Sequence, residues 1–341
     1  MNKGSHRAPR KRRPWRGWLW LAVIGVVAGA EAQTCQSAAD MEAAVRTGLE
    51  TTARRYFDMA ARGDWATLQQ NAIPAVAANF GGIEAAVKDN QAAFAGGQVT
   101  VRPPFLLVAD GSEGLARAEF LCGVFGPSGQ TSNSAVFVLN NLAPGKYGVV
   151  ILDAKGGQEA RTLTVILQQL GTDWKLAGFY ARSSQVNGHD GAWFAQHARE
   201  FKSKGQNRNA WLYFRQAIFL SAPADFMSTL STDKLYDEAQ AVQPNDLPLN
   251  GNVVDLSAGG TTYKLSAIFP LTVARELELV VKYQAADVSN SLQTFQANSG
   301  VIKALVAKFP EFRDAFDGVV ARAVEPSGRD YGSMLPMKEI K

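Results

Sequence analysis

Residues 161–182 read RTLTVILQQLGTDWKLAGFYAR, and this stretch decides the fold of the first half of the chain. Two segments with β-branched and aromatic residues, Arg161–Leu170 and Trp174–Arg182, flank Gly171-Thr172-Asp173. A turn of this composition between two such segments predicts a β-hairpin. We therefore expect an antiparallel sheet here.

Further strand-like segments precede the hairpin. Leu115–Phe125 alternates between apolar and polar residues, and Ser134–Leu139 and Tyr147–Leu152 are short and β-branched or aromatic. Val99–Ala109 contains Pro103-Pro104, which predicts an edge strand or a bulged strand because proline cannot donate to a ladder. Together these segments predict a meandering antiparallel sheet.

Three helices are predicted before the sheet. Met41–Ala61 carries apolar residues at three- and four-residue spacing and ends near Gly63. Asp64 is a predicted cap for a second helix, Trp65–Gln70, and a third spans Gly82–Phe94. Helices followed by a sheet predict an α+β domain over residues 38–184, with the helices on one face of the sheet.

This order, with Arg62-Gly63-Asp64-Trp65 opening the second helix and residues 171–176 (GTDWKL) entering the last strand, resembles the nuclear-transport-factor-like or ketosteroid-isomerase-like superfamily. The resemblance covers about 140 residues. It implies a cone-like domain in which a curved sheet wraps an apolar pocket, often with dimerisation through the open sheet face. Catalytic members use an Asp, often with Tyr or His partners, to move protons.

Candidate pocket residues follow from the predicted strands and helices. Glu119 is the best acid–base candidate, although it shares a strand face with Arg117, so a solvated ion pair is the alternative. The ligand-pocket candidates are Tyr56, Phe57, Phe120, Phe137 and Phe179. The alternative for these five aromatic residues is that they fill the core.

The region 191–242 is predicted to be helical. Trp193–Lys204 and Arg208–Leu220 form a helix pair around Gly205, followed by a helix at Ser231–Ala241. The small and large residues over 191–224 resemble a single tetratricopeptide repeat. A peptide-binding groove and a structural connector are both open, and a single repeat must pack on neighbours in either case.

The region 249–341 is predicted to be a small α+β domain. Strands are expected at Val253–Leu256, Thr261–Phe269, Glu276–Tyr283 and Val319–Val324, with a helix over Val288–Phe309 and a tail from Pro326. Neither a catalytic signature nor a phosphate-binding loop pattern is found, and the cysteines and histidines do not form a metal-binding pattern. We therefore expect neither a metal nor a cofactor.

The N-terminus predicts export. Residues 1–32 combine seven Lys or Arg residues, an apolar run from Trp18 to Ala30 and the site Ala30-Glu31-Ala32, as in a secretory signal peptide. An uncleaved anchor is the alternative. The whole chain has 35 basic and 31 acidic residues, a net charge of +4; removing seven bases and one acid leaves 28 and 30, a net charge of −2. That balance argues against a nucleic-acid partner.

The two cysteines fit an oxidising compartment. Cys35 and Cys122 allow one disulfide that closes a loop of 87 residues, and two free thiols are the alternative. We favour an exported periplasmic, envelope or extracellular protein without catalytic activity, which binds an envelope protein or a small apolar ligand and could form a homodimer. The membrane would be involved only through the signal segment. The second hypothesis is a small-molecule isomerase- or cyclase-like enzyme that uses a pocket carboxylate.

Overall fold

The fold is α+β, as predicted. A computed structural model describes residues 33–156, 159–249, 251–273 and 275–341, so the predicted signal peptide lies outside the described residues. Within these ranges the helices are α1 (Ala43–Ala61), α2 (Trp65–Gln70), α3 (Pro74–Ala77), α4 (Gly81–Ala95), α5 (Gly191–Ser203), α6 (Asn207–Ser221), α7 (Leu230–Gln240) and α8 (Ser291–Lys308).

The strands form three main sheets. In chain order they are β1 (Gln33–Gln36), β2 (Gln98–Val101), β3 (Phe105–Ala109), β4 (Leu115–Gly126), β5 (Gly129–Leu142), β6 (Gly145–Lys155), β7 (Arg161–Leu170), β8 (Asp173–Ser183), β9 (Gln185–Val186), β10 (His189–Asp190), β11 (Met227–Thr229), β12 (Val254–Ala258), β13 (Thr261–Val273), β14 (Glu276–Gln284), β15 (Gly318–Val324) and β16 (Asp330–Pro336).

The first sheet, which we call the central sheet, has the order β1-β3-β6-β7-β8, with β2 pairing on β6. The β7–β8 hairpin forms as predicted, and Leu170 pairs with Asp173 across a turn in which Gly171 has a φ of +63°. Helices α1 and α4 cover one face, where Leu49 and Phe94 pack against Leu152 and Leu163. Asp64 caps α2, as predicted, by accepting a hydrogen bond from the Thr67 N–H at 3.2 Å.

The opposite face of the central sheet is covered by a second sheet of order β11-β5-β4. Val149, Ile151 and Ile166 of the central sheet pack there against Phe120 and Phe137. The first half of the chain therefore has three layers: helices, the central sheet and the second sheet. The open sheet face that the family resemblance implies is covered here by β4 and β5.

A disulfide joins the two sheets. Cys35 on β1 pairs with Leu107 on β3, and its sulfur is bonded to that of the fully buried Cys122 on β4. The Gln33 side chain adds a second link, since its Oε1 accepts a hydrogen bond from the Glu119 N–H at 2.6 Å. The cysteines are therefore paired, which was one of the two alternatives left open by the sequence.

The helical region and the C-terminal region share one hydrophobic core. Phe194 and Phe214 of the α5–α6 pair belong to the same buried cluster as Leu279 and Leu305 of the C-terminal region. The Tyr213 hydroxyl also donates a hydrogen bond to the Ala315 carbonyl at 2.6 Å. The helix pair thus packs on the C-terminal region as well as on α7.

The C-terminal sheet has the order β12-β13-β14-β15-β16, in which β14 and β15 are parallel and joined through α8. The tail predicted from Pro326 is wrong, because Asp330–Pro336 forms the edge strand β16. That segment lacks a strong apolar alternation, and its pairing with β15 becomes visible only in the folded chain.

Two strand predictions also need correction. Val99–Ala109 is divided at Pro103-Pro104 into β2 and β3. Among the described strands β2 pairs only with β6 and is an edge strand, as predicted, whereas β3 lies between β1 and β6. The segments predicted at 134–139 and 147–152 are the buried centres of the longer strands β5 and β6. Their ends are polar, so residue type alone underestimates their length.

The disulfide should contribute strongly to stability, because it closes a long loop between the two sheets. We expect Cys35→Ser to lower the free energy of unfolding by about 2–4 kcal/mol, measured by urea denaturation. Reducing the wild-type protein should produce the same loss. Equal denaturation midpoints for the oxidised wild type and the variant would contradict this role.

Gly148 on β6 provides the close approach of α1 to the central sheet. A Cβ at this position would overlap the Leu49 side chain, which is fully buried. We expect Gly148→Ala to cost about 1–3 kcal/mol of unfolding free energy. The matched control is Gly300→Ala in α8, where a Cβ meets open space; it should stabilise by about 0.5–1 kcal/mol. Similar effects of both variants would contradict the packing argument.

Candidate functional site

The acid–base candidate Glu119 lies on the outer face of the second sheet. Its side chain is 52% exposed, and its carboxylate is 3.4 Å from the Arg117 guanidinium. Glu119 does not line any of the cavities found among the described residues. The structure therefore places it in the solvated ion pair that the sequence left as the alternative.

The five aromatic pocket candidates lie in two different cores. Tyr56, Phe57 and Phe179 are buried between the helices and the central sheet, whereas Phe120 and Phe137 are buried between the two sheets. The Tyr56 hydroxyl donates to the Trp174 carbonyl at 3.1 Å, and burial raises the pKa of Tyr56 above its ordinary value. No cavity found in the described ranges is lined by these five residues, so here they serve as core.

A cleft lies where the three predicted regions meet, and we call it the arginine cleft. Its volume is about 600 Å³, within the range typical of small-molecule sites. Its walls come from α4, from the ends of β7 and β8, from α6 and from β13. The guanidinium groups of Arg161, Arg182 and Arg215 line it.

Two of these arginines are held by neighbouring groups. Arg161, whose side chain is 17% exposed, binds the Glu159 carboxylate and the Ser183 hydroxyl. Arg182 is paired with the Asp225 carboxylate, and its Cζ atom lies 5.2 Å from the centre of the Phe219 ring. Their orientation is thus fixed by contacts at the rim of the cleft.

Arg215 is different, because no ion pair to it is found among the described residues. It is exposed on α6, and its Cζ atom lies 5.8 Å from the centre of the Trp211 ring. The next residue, Gln216, also lines the cleft and is only 5% exposed. Arg215 and Gln216 therefore offer donors that a ligand could use.

Apolar side chains form part of the same lining. Phe219 on α6 is 46% exposed and Leu271 on β13 is 45% exposed, with Phe269 beside it on the same face of β13. Large apolar side chains left partly in water at a concave surface are typical of a binding site.

A second compartment adjoins the cleft. It has a volume of about 450 Å³ and shares Ser183 and Thr272 with the first. Lys155 and Arg275 add positive charge there, while Glu159 pairs with Arg161. The two compartments together have five basic and two acidic lining residues, in a chain whose charge is otherwise nearly balanced.

A smaller cavity of about 270 Å³ lies beside α5. Trp193 is stacked between His189 and His197, with ring centres 3.8 and 3.6 Å apart. The Asp317 carboxylate at its wall accepts the Leu277 N–H at 2.9 Å. This cavity is less than half the volume of the arginine cleft, so the arginine cleft is the stronger candidate.

Sequence reasoning missed the arginine cleft, since its lining residues are spread from Asp89 to Thr272. The nearest local signal is the pair Arg215 and Phe219, which are four residues apart and therefore share a helix face. Within the ranges described above, we find no group of His, Cys, Asp and Glu side chains suited to hold a metal ion, and no helix there is long and apolar enough to cross a bilayer.

Comparison with known proteins gives no relative for this chain. No family model, no curated protein and no solved structure matches it.

One buried carboxyl outside the cleft has a strongly shifted pKa. Glu278 on β14 is almost fully buried, and its Oε2 has no hydrogen-bond partner among the described residues. Burial, together with the nearby negative charges of Asp317 and Glu276, raises the pKa of Glu278 to about 7.

This shift should make folding stability depend on pH. The pKa of Glu278 is higher in the folded state than the ordinary value of 4.5. The contribution of the protonated carboxyl to the free energy of unfolding is therefore fully present below about pH 4.5 and is lost as the pH rises to about 7. We expect Glu278→Gln to remove this loss. The free energy of unfolding of the variant, measured by urea denaturation, should therefore rise relative to that of the wild type between these two pH values. A difference that stays constant with pH would contradict the assignment.

Proposed function

We propose that this chain is an exported, non-catalytic binding protein whose ligand occupies the arginine cleft. The observation that carries the proposal is the convergence of Arg215, Gln216 and three apolar side chains on one concave surface with an excess of positive charge. The N-terminal sequence pattern and the Cys35–Cys122 disulfide support export.

The chemistry of the lining favours binding over catalysis. Guanidinium groups remain charged at ordinary pH, so they hold anions but cannot accept protons. The acidic residue among the lining residues of the main compartment is Asp89, which is exposed on α4. The isomerase-like alternative needs a carboxylate aimed into a cavity, and Glu119 does not supply it.

Charge distribution supports an anionic ligand. A positively charged cleft with low-dielectric walls raises the local concentration of anions even when the whole protein is nearly neutral. A protein partner from the envelope and a homodimer remain predictions from the sequence.

The test uses anilinonaphthalene sulfonate, a fluorescent dye with one anionic group and an apolar body. We expect saturable binding to the wild type, and Arg215→Ala should weaken it about tenfold, which corresponds to about 1.4 kcal/mol. The matched control is Arg117→Ala, an exposed arginine on the second sheet, which should leave binding unchanged. No saturable binding, or equal loss in both variants, would overturn the proposal.

A further inference from the structure

The chemical class of the ligand follows from two unlike surfaces that lie side by side in the cleft. Arg215 and Phe219 are one turn apart on the exposed face of α6, so their Cβ atoms lie about 5–6 Å apart. Both residues line the same compartment. A ligand that satisfies both must have a charged part and an apolar part close together.

The charged part is an anion. Arg161 donates hydrogen bonds to Glu159 and Ser183, although its buried Nε has no partner among the described residues, and Arg182 is paired with Asp225. The charges of these two arginines are therefore largely matched by neighbouring carboxylates. Arg215 has no ion pair among the described residues, and Gln216 beside it lines the same compartment. A guanidinium and a side-chain amide both supply N–H donors to an anion, so these two residues form the headgroup site.

The apolar part lies between α6 and β13. Phe219 stands on one wall and Leu271 with Phe269 on the other, and each leaves apolar area in water. Removing such apolar area from water is favourable for binding. A small inorganic anion would leave this surface exposed, and an uncharged apolar ligand would leave Arg215 unused.

An acidic peptide fits less well. β12 pairs with β13 only up to Leu265, so residues 267–273 of β13 have no strand from the described ranges on the side away from β14. This free edge contains Pro270, which lines the cleft and lacks the N–H that an added strand would need. An amphiphile needs no backbone partner.

We infer that the ligand is an acidic amphiphile, a single acyl or alkyl chain that ends in a carboxylate or a phosphate. The headgroup is bound by Arg215 and Gln216, and the chain lies against Phe219, Phe269 and Leu271. This inference rests on the proposed function, because it names the ligand class of the same cleft.

The experiment measures displacement of bound anilinonaphthalene sulfonate by compounds kept below their micellar concentrations. Dodecanoate and dodecyl phosphate should displace the dye, and comparison of the two identifies the preferred headgroup. Dodecyl maltoside, with the same chain and no charge, should be at least tenfold weaker. Inorganic phosphate and tetraglutamate should not compete in the same concentration range.

Two variants separate the contributions of headgroup and chain. Arg215→Ala should abolish the preference for charged over uncharged dodecyl compounds, while Phe219→Ala should weaken all of them alike. Tyr236→Ala, an exposed aromatic on α7 outside the cleft, is the control and should change neither.

The failures are distinguishable. Equal displacement by dodecyl maltoside would show that the headgroup charge does not contribute to binding. Displacement by phosphate or tetraglutamate as strong as by dodecanoate would show that the alkyl chain does not contribute to binding. Either result overturns the amphiphile inference and leaves the cleft as a binding site. Absence of saturable dye binding to the wild type would instead remove the site itself.

Discussion

The central sheet buries side chains on both faces, so each face needs its own covering layer. This requirement determines how the other elements of the first half of the chain are arranged. Residues 147–152 of β6 and 162–167 of β7 form two uninterrupted buried runs. Since neighbouring residues of a strand point to opposite faces, one covering layer could bury only half of these side chains. Helices α1 and α4 cover one face, and the β4–β5 hairpin covers the other, where the disulfide also crosses between the layers.

Local features of the sequence predicted much of this fold. Hairpin residues 161–182, the Asp64 cap and the long first helix all depend on near neighbours in the chain, and all are present in the structure. The second covering layer was not predicted, because an alternating strand such as β4 has the same pattern whether its apolar face meets helices or another sheet. For the same reason the aromatic candidates could not be divided between pocket and core beforehand.

The arginine cleft could not be predicted from near neighbours in the sequence, for a different reason. Arg215 and Phe219 look like an ordinary solvated helix face until β13 and the end of β8 stand opposite them. What makes the pair informative is the absence of an ion pair at Arg215 within the described part of the chain, together with the apolar side chains that face it across the cleft. Neither property exists in the sequence, since both depend on which distant segments approach α6.

The shared core from Val186 to Ile340 has a consequence for how such a chain can be divided and recombined. Repeat-like helix pairs are commonly exchanged between proteins as modules, because each buries its surface against similar neighbours. Here the α5–α6 pair buries Phe214 and Tyr213 with side chains of a mixed sheet that follows much later in the chain. The smallest segment that could be exchanged intact is therefore the helix pair together with its C-terminal sheet. A chimera with a boundary between them would divide one core into two incomplete halves.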